Sequence, residues 1–345
     1  MRGRYSIILI LLLVIFISSV GLAQVDVGGE VKTSIISSDG ESDLQESLNL
    51  QLFLPESERT SAKFEVDLYI NTLDNLSQDN QINTSLKKLY IKHRFDNSNM
   101  TIGRQPISWS FGSLLNPVDF NLGAEAMDKE GSAKYVDALE FYLPINWSSG
   151  LTLVTSFPEQ VGNKYGFRGR TNFKGYDLSL NYIHQTAVDD DVLKERVGMS
   201  GKGDLGPIGI YGALNYDLGQ RKSTYLVGGD YSFYLNNDLN RVVVQLEYLR
   251  DEAGVLDYIL GNNYSLSAIE KDVEFILTTT SYEIDQFSNL SLTGGLNLTD
   301  NSLLLTPEYK NQLSSNLDLT VGASLFIDEA GNDSRHFEAS LVYPF

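Results

Sequence analysis

Read at every second residue, the chain separates into an oily set and a polar set along most of its length. In SLNLQLFL, Leu48, Leu50, Leu52 and Leu54 share one side, against Ser47, Asn49, Gln51 and Phe53. In AKFEVDLYI, Phe64, Val66, Leu68 and Ile70 oppose Lys63, Glu65, Asp67 and Tyr69. YDLSLNYI, NLSLTGGLNL and NLDLTVGASLFI repeat the pattern at 176–183, 289–298 and 316–327. A period of two is that of a β-strand with one apolar face. Helical periodicity is almost absent.

The alternation predicts about eighteen strands, with sixteen as the alternative count, each roughly 9–11 residues long. That is the length of a tilted strand crossing a bilayer. The predicted spans are 24–37, 44–54, 62–71, 84–95, 99–109, 135–144, 150–157, 164–174, 176–186, 195–204, 207–218, 223–234, 239–250, 271–282, 288–298, 301–311, 316–327 and 335–345. Their even-numbered connections (PESERTS, DNSN, INWSSG, KG, LG, LNND, DQFSN, LSSN) are short. The odd-numbered ones include TLDNLSQDNQIN, 110–134 and 251–270, although QRKS and DN are short too. Membrane barrels join strands by short periplasmic turns and longer outer loops.

A soluble β-sandwich is the competing architecture, with two oily faces meeting in one core. Here the alternation runs without a linker, a charge run or a fixed repeat, which favours closure into one barrel. The expected fold is therefore all-β: a transmembrane antiparallel up-and-down β-barrel, as one domain over 24–345.

The ends fit that reading. Arg2 and Arg4 precede a charge-free run from Ile7 to Val20, and Gly21-Leu22-Ala23 follows. This predicts a signal peptide over 1–23, leaving 345 − 23 = 322 residues. With no Cys in the chain, a lipoprotein anchor is excluded and disulfides cannot hold the fold. At the other end, Phe337, Ala339, Leu341, Tyr343 and Phe345 form one oily face. The formal net charge of −19 argues against nucleic acid as a partner.

Two stretches carry a resemblance. The alternating strand ending in Phe345 resembles the assembly signature of bacterial outer-membrane barrels, which implies that Phe337, Leu341, Tyr343 and Phe345 are read by the insertion machinery. TIGRQPISWSFGSLLNPVDFN, Thr101–Asn121, resembles a G-R-Q … W-G … N-P-x-D segment of some outer-membrane porins, including alginate-export-type and related channels. The matching residues are Gly103, Arg104, Gln105, Trp109, Asn116, Pro117 and Asp119; Ser110-Phe111-Gly112 stands where Gly after the Trp is expected. The resemblance implies a porin embedded in outer-membrane lipid, passing small hydrophilic solutes or ions passively through a charged constriction. Porins of this size are often homotrimers. A non-transporting structural or adhesive barrel, or an outer-membrane hydrolase, are the alternatives.

If the leucine-rich register meets lipid, the other register lines the lumen. That assigns Lys88, Lys92, Arg94, Arg168, Arg170, Arg196 and Lys202 inward. A Lys or Arg facing lipid at mid-depth costs roughly 2–4 kcal/mol. These cations either guide anions or pair with Glu65, Asp67, Glu247, Glu274 and Glu308 as a wall network. The resemblance to porins implies that the third outer loop, 110–134, folds into the barrel, and its apolar residues agree. Its Asp119, Glu125, Asp128 and Glu130 would then face the basic wall across the constriction. Arg104 falls in the lipid-facing register; either it lies at the outer rim or, as expected here, Gly103 starts a bulge that turns it toward Asp119. The histidines (His93, His184, His336) do not cluster, so neither a metal, a cofactor nor a catalytic site is expected.

Overall fold

A computed structural model describes residues 25–38, 41–71, 83–121, 135–157, 162–186, 195–235, 240–256 and 272–345. The predicted signal peptide, and Glu125, Asp128 and Glu130, lie outside the described residues.

The eighteen strands are β1 (Asp26–Ser38), β2 (Glu41–Phe53), β3 (Thr60–Asn71), β4 (Asn83–Arg94), β5 (Asn99–Pro106), β6 (Tyr135–Pro144), β7 (Ser149–Ser156), β8 (Lys164–Phe173) and β9 (Tyr176–Gln185), followed by β10 (Glu195–Leu205), β11 (Ile208–Asp217), β12 (Lys222–Leu235), β13 (Asn240–Asp251), β14 (Val273–Glu283), β15 (Ser288–Asn297), β16 (Leu303–Ser314), β17 (Leu317–Ile327) and β18 (Asp333–Pro344). Each pairs antiparallel with its chain neighbours, and β1 pairs with β18, so the sheet closes on itself. Each matches one predicted span. The largest displacements are three residues, as at the start of β2 (Glu41 against 44) and the end of β5 (Pro106 against 109).

The alternation separates the two faces as expected. Leu89, Ile91, Ile102, Leu153, Leu180 and Met199 are each about half exposed on the outside. Aromatics gather where strands meet the short turns: Phe53, Phe173, Tyr176, Tyr234, Phe287 and Phe345. This is the position of the aromatic girdle of a membrane barrel. Among those turns, Lys174-Gly175 joins β8 to β9 with φ of 51° and 87°, the two-residue geometry that suits the twist of a hairpin. Closure continues past β18: the Gly29 N–H donates to the Phe345 carbonyl at 3.1 Å, and the Phe345 N–H to the Gly29 carbonyl at 2.9 Å.

One irregularity bears on the lumen. Opposite Glu65 and Val66 of β3, β4 presents Lys88 and Leu86, so Lys87 is an inserted residue. Such a bulge breaks alternation. As a result both lysines turn to carboxylates of β3, Lys87 to Asp67 and Lys88 to Glu65.

Candidate functional site: a folded segment and the cations of the inner wall

Between β5 and β6 the described chain does not leave the barrel. Residues 107–121 run along the inner wall. The segment is folded by its own polar side chains. The Asp119 carboxylate accepts the N–H groups of Trp109 (2.5 Å) and Phe120 (2.7 Å), and the Ser108 hydroxyl (3.3 Å). Asn116 accepts the Val118 N–H at 3.2 Å and donates to the Trp109 carbonyl at 3.3 Å. Asn116 and Asp119 thus close the segment on itself around Trp109.

Its apolar side chains fill the wall. Ile107, Trp109 and Phe120 pack with Ala138, Val154 and Ile183, and the two rings lie 5.3 Å apart. Leu115 and Val118 pack against a second cluster that includes Leu226, Leu249, Phe275 and Leu277. Full burial of a side chain of this size contributes about 1.5–3 kcal/mol. Glycines make the room: a Cβ on Gly166 would lie 2.7 Å from the rings of Phe120 and Trp109, and one on Gly198 2.9 Å from Val118.

The wall also grips the segment's backbone. Glu247, 1% exposed, accepts the N–H groups of Leu114 (2.5 Å) and Leu115 (2.9 Å) and the Tyr211 hydroxyl (2.8 Å). Arg196 donates to the carbonyls of Asp119 (2.7 Å) and Phe120 (3.0 Å), Asn181 to that of Val118 (2.9 Å), and Gln245 to that of Gly112 (3.1 Å). The chain after β13 joins this packing, which the sequence reading missed. Asp251 accepts the N–H groups of Ala253 (3.1 Å) and Leu256 (2.6 Å), and Val255 and Leu256 enter the second cluster. The apolar Ala253-Gly254-Val255-Leu256 inside a stretch assigned to an outer loop was the available signal.

The inward cations divide into two arcs. On β8 and β10 they meet the segment. Arg168 reaches the Ser110 carbonyl only at 3.4 Å and lies 6.0 Å from the centre of the Trp109 ring. Lys202 lies 5.8 Å from the centre of the Tyr211 ring. Neither has a carboxylate within ion-pair distance among the described residues. Arg170 approaches Asp177 at 3.6 Å, and Lys164, absent from the sequence reading, donates to Asn121 at 3.2 Å. A cavity of about 350 Å³ is lined by Ser110, Gly112, Arg168, Arg170 and Lys202, with Asp177 as its carboxylate.

Elsewhere on the wall several cations are paired with carboxylates. Lys87 meets Asp67 and Lys88 meets Glu65, both at 2.5 Å; Lys32 meets Glu338 at 3.1 Å and Lys310 meets Glu308 at 3.0 Å. Lys92 and Glu140 flank Thr101 in register. Arg94 is exposed at the turn end of β4. Hydroxyls fill the gaps, as between Thr279 and Thr293 (3.0 Å) and between Thr306 and Ser324 (3.2 Å).

Arg104 departs from expectation. No register shift separates β4 from β5, and Arg104 stays opposite the exposed Leu89. Gly103 does adopt a φ of 120°, but without inserting a residue. The guanidinium therefore remains on the outward face near the end of β5. There it pairs with Asp137 at 3.2 Å and donates to the Leu86 carbonyl at 2.6 Å, not to Asp119, whose carboxylate is taken up inside the segment.

No protein-family model and no curated protein sequence matches this chain. Solved structures do. OpdK of Pseudomonas aeruginosa, determined with vanillate, is similar with a TM-score of 0.60 at 12% identity, covering 93% of this chain and 98% of that one. A double variant of OccD1 (OprD) gives 0.62 at 10% identity, covering 93% and 95%. A triple variant of the Rhodopseudomonas blastica porin gives 0.52 at 12% identity, covering 93% and 100%. At these identities the likeness is one of fold: this chain has the closed barrel fold of bacterial porins.

Proposed function

We propose that the chain is an outer-membrane porin that passes small hydrophilic solutes passively, with preference for anions. The observation that carries this reading is the constriction: residues 107–121 lie inside a closed barrel, and the cations beside them, Arg168 and Lys202, have no carboxylate within ion-pair distance among the described residues. A cation without an ion-pair partner beside a narrow passage attracts ions of opposite sign more strongly than charge in bulk water does. The overall acidity, −19, belongs to the whole chain and does not set the sign at this point.

The same reading includes export by the signal peptide 1–23, inward folding of the whole loop 110–134, and assembly as a homotrimer. It also includes recognition of Phe337, Leu341, Tyr343 and Phe345 by the insertion machinery. The segment's likeness to alginate-export-type porins supports the constriction, since Asn116 and Asp119 are its folding residues. The test is single-channel conductance in a planar bilayer, with the reversal potential measured in a salt gradient. Stepwise openings with a reversal potential of anionic sign are expected. Correctly folded protein that never conducts would move a non-transporting barrel to first place.

A further inference from the structure

A second cavity, of about 450 Å³, opens toward the end of the barrel that carries the short turns, among β6, β7, β8 and β9. Tyr142, Trp147 and Thr152 line it together with Arg168, Arg170 and Asp177. The last three also line the 350 Å³ cavity beside the segment. The two cavities are therefore adjoining chambers that share a pair of guanidiniums.

Three observations distinguish this chamber from a plain stretch of charged wall. First, the Arg168 Nε is buried and has no hydrogen-bond partner among the described residues. A guanidinium left with a buried, unanswered donor keeps hydrogen-bonding capacity that an acid group at its accessible nitrogens can draw on. Second, Arg170 is held by Asp177 at 3.6 Å, well beyond the roughly 2.7–2.9 Å of a charge-assisted hydrogen bond, and its side chain is 60% exposed. Third, the chamber has aromatic walls. Trp147 is 95% exposed, on a turn fixed by Asn146 accepting the Ser148 N–H (2.8 Å) and hydroxyl (3.1 Å). Tyr142 lies over Gly150, where an added Cβ would fall 2.6 Å from its hydroxyl. An aromatic at a strand end commonly serves as a membrane-interface anchor. Trp147 differs in lining an inward chamber beside two arginines.

We propose that this chamber is a second solute station: it takes an organic anion, whose acid group is bound by Arg170 and Arg168 and whose apolar face lies on Trp147 and Tyr142. The inference rests on the reading of the barrel as a channel and adds the solute's next position. A solute leaves the constriction without losing its arginines, because the next chamber is built on the same two. Conduction needs sites that bind well enough to admit and weakly enough to release, and adjoining stations meet both needs.

The test uses tryptophan emission of the whole protein. The chain has two Trp, and Trp109 is only 3% exposed, so quenching from water reads Trp147. The probes are 4-nitrobenzoate and its neutral counterpart 4-nitrobenzyl alcohol. Saturable quenching by the acid is expected at a concentration at least about tenfold lower than by the alcohol. Arg170→Gln, at an exposed side chain, should bring the two curves together, and Trp147→Phe should remove the saturable component. Equal quenching by both probes, or indifference to Arg170→Gln, would overturn the station and leave Trp147 as an interface anchor. The two readings fail separately. Conductance without preferential quenching sinks the station alone; preferential quenching without conductance sinks the channel and keeps the binding site.

Discussion

Lys88 and Arg168 both point into the lumen from alternating strands, yet they are electrostatically opposite. Lys88 ends on Glu65 at 2.5 Å, and its neighbour Lys87 on Asp67 at the same distance. Arg168 ends on a backbone carbonyl at 3.4 Å and the face of a tryptophan. A matched pair is a short dipole whose field dies within a few ångströms; an unmatched cation acts over the width of the passage. Counting inward cations therefore says little about selectivity. What matters is which of them the opposite charges have reached.

The comparison can be broken or sharpened by substitution. The largest effect is expected from Glu247→Ala, which leaves the N–H groups of Leu114 and Leu115 without their acceptor. Each buried donor so orphaned costs about 1–3 kcal/mol. The segment should leave the wall, and single-channel conductance should rise severalfold; an unchanged conductance would mean that the segment does not set the constriction. Next comes Arg168→Gln with Lys202→Gln, which should abolish the anionic reversal potential while the conductance steps persist. Retained anion preference would move the selecting charge to other residues.

A smaller effect is expected from Gly166→Ala, whose Cβ would meet the rings of Phe120 and Trp109 at 2.7 Å. Overpacking of this kind costs about 1–3 kcal/mol, so thermal unfolding should move to lower temperature, and an unshifted transition would show that the rings can yield. The smallest effect belongs to the paired arc. Glu65→Gln with Lys88→Gln removes a matched pair whole, and the reversal potential should not move.

Much of this was legible because alternation is a local property. Leu89 and Ile91 on one side, with Lys88 and Lys92 on the other, need no knowledge of the rest of the chain. The segment's apolar content likewise marked it as something other than a solvated loop. What could not be read depends on partners distant in sequence. Glu247 looks like a counter-charge on its own strand, and only the fold brings Leu115, 132 residues away, to its carboxylate. Asp119 looks like a source of field, and the adjacent N–H groups claim it first. Lys87 escaped because a strict period of two assigns two successive lysines to opposite faces, and the bulge in β4 cancels that rule. Arg104 erred the other way: a bulge was expected at Gly103, and the register runs on without one.

The pairing of β1 with β18 has a consequence in time. Val31 lies beside Tyr343, so the contact that closes the sheet joins residues separated by most of the chain. Until β18 pairs with it, β1 has one neighbour, and its other edge offers unpaired N–H and C=O groups to any strand nearby. Closing so long a loop is entropically expensive and slow. The unclosed sheet must be kept from pairing with its copies throughout that wait.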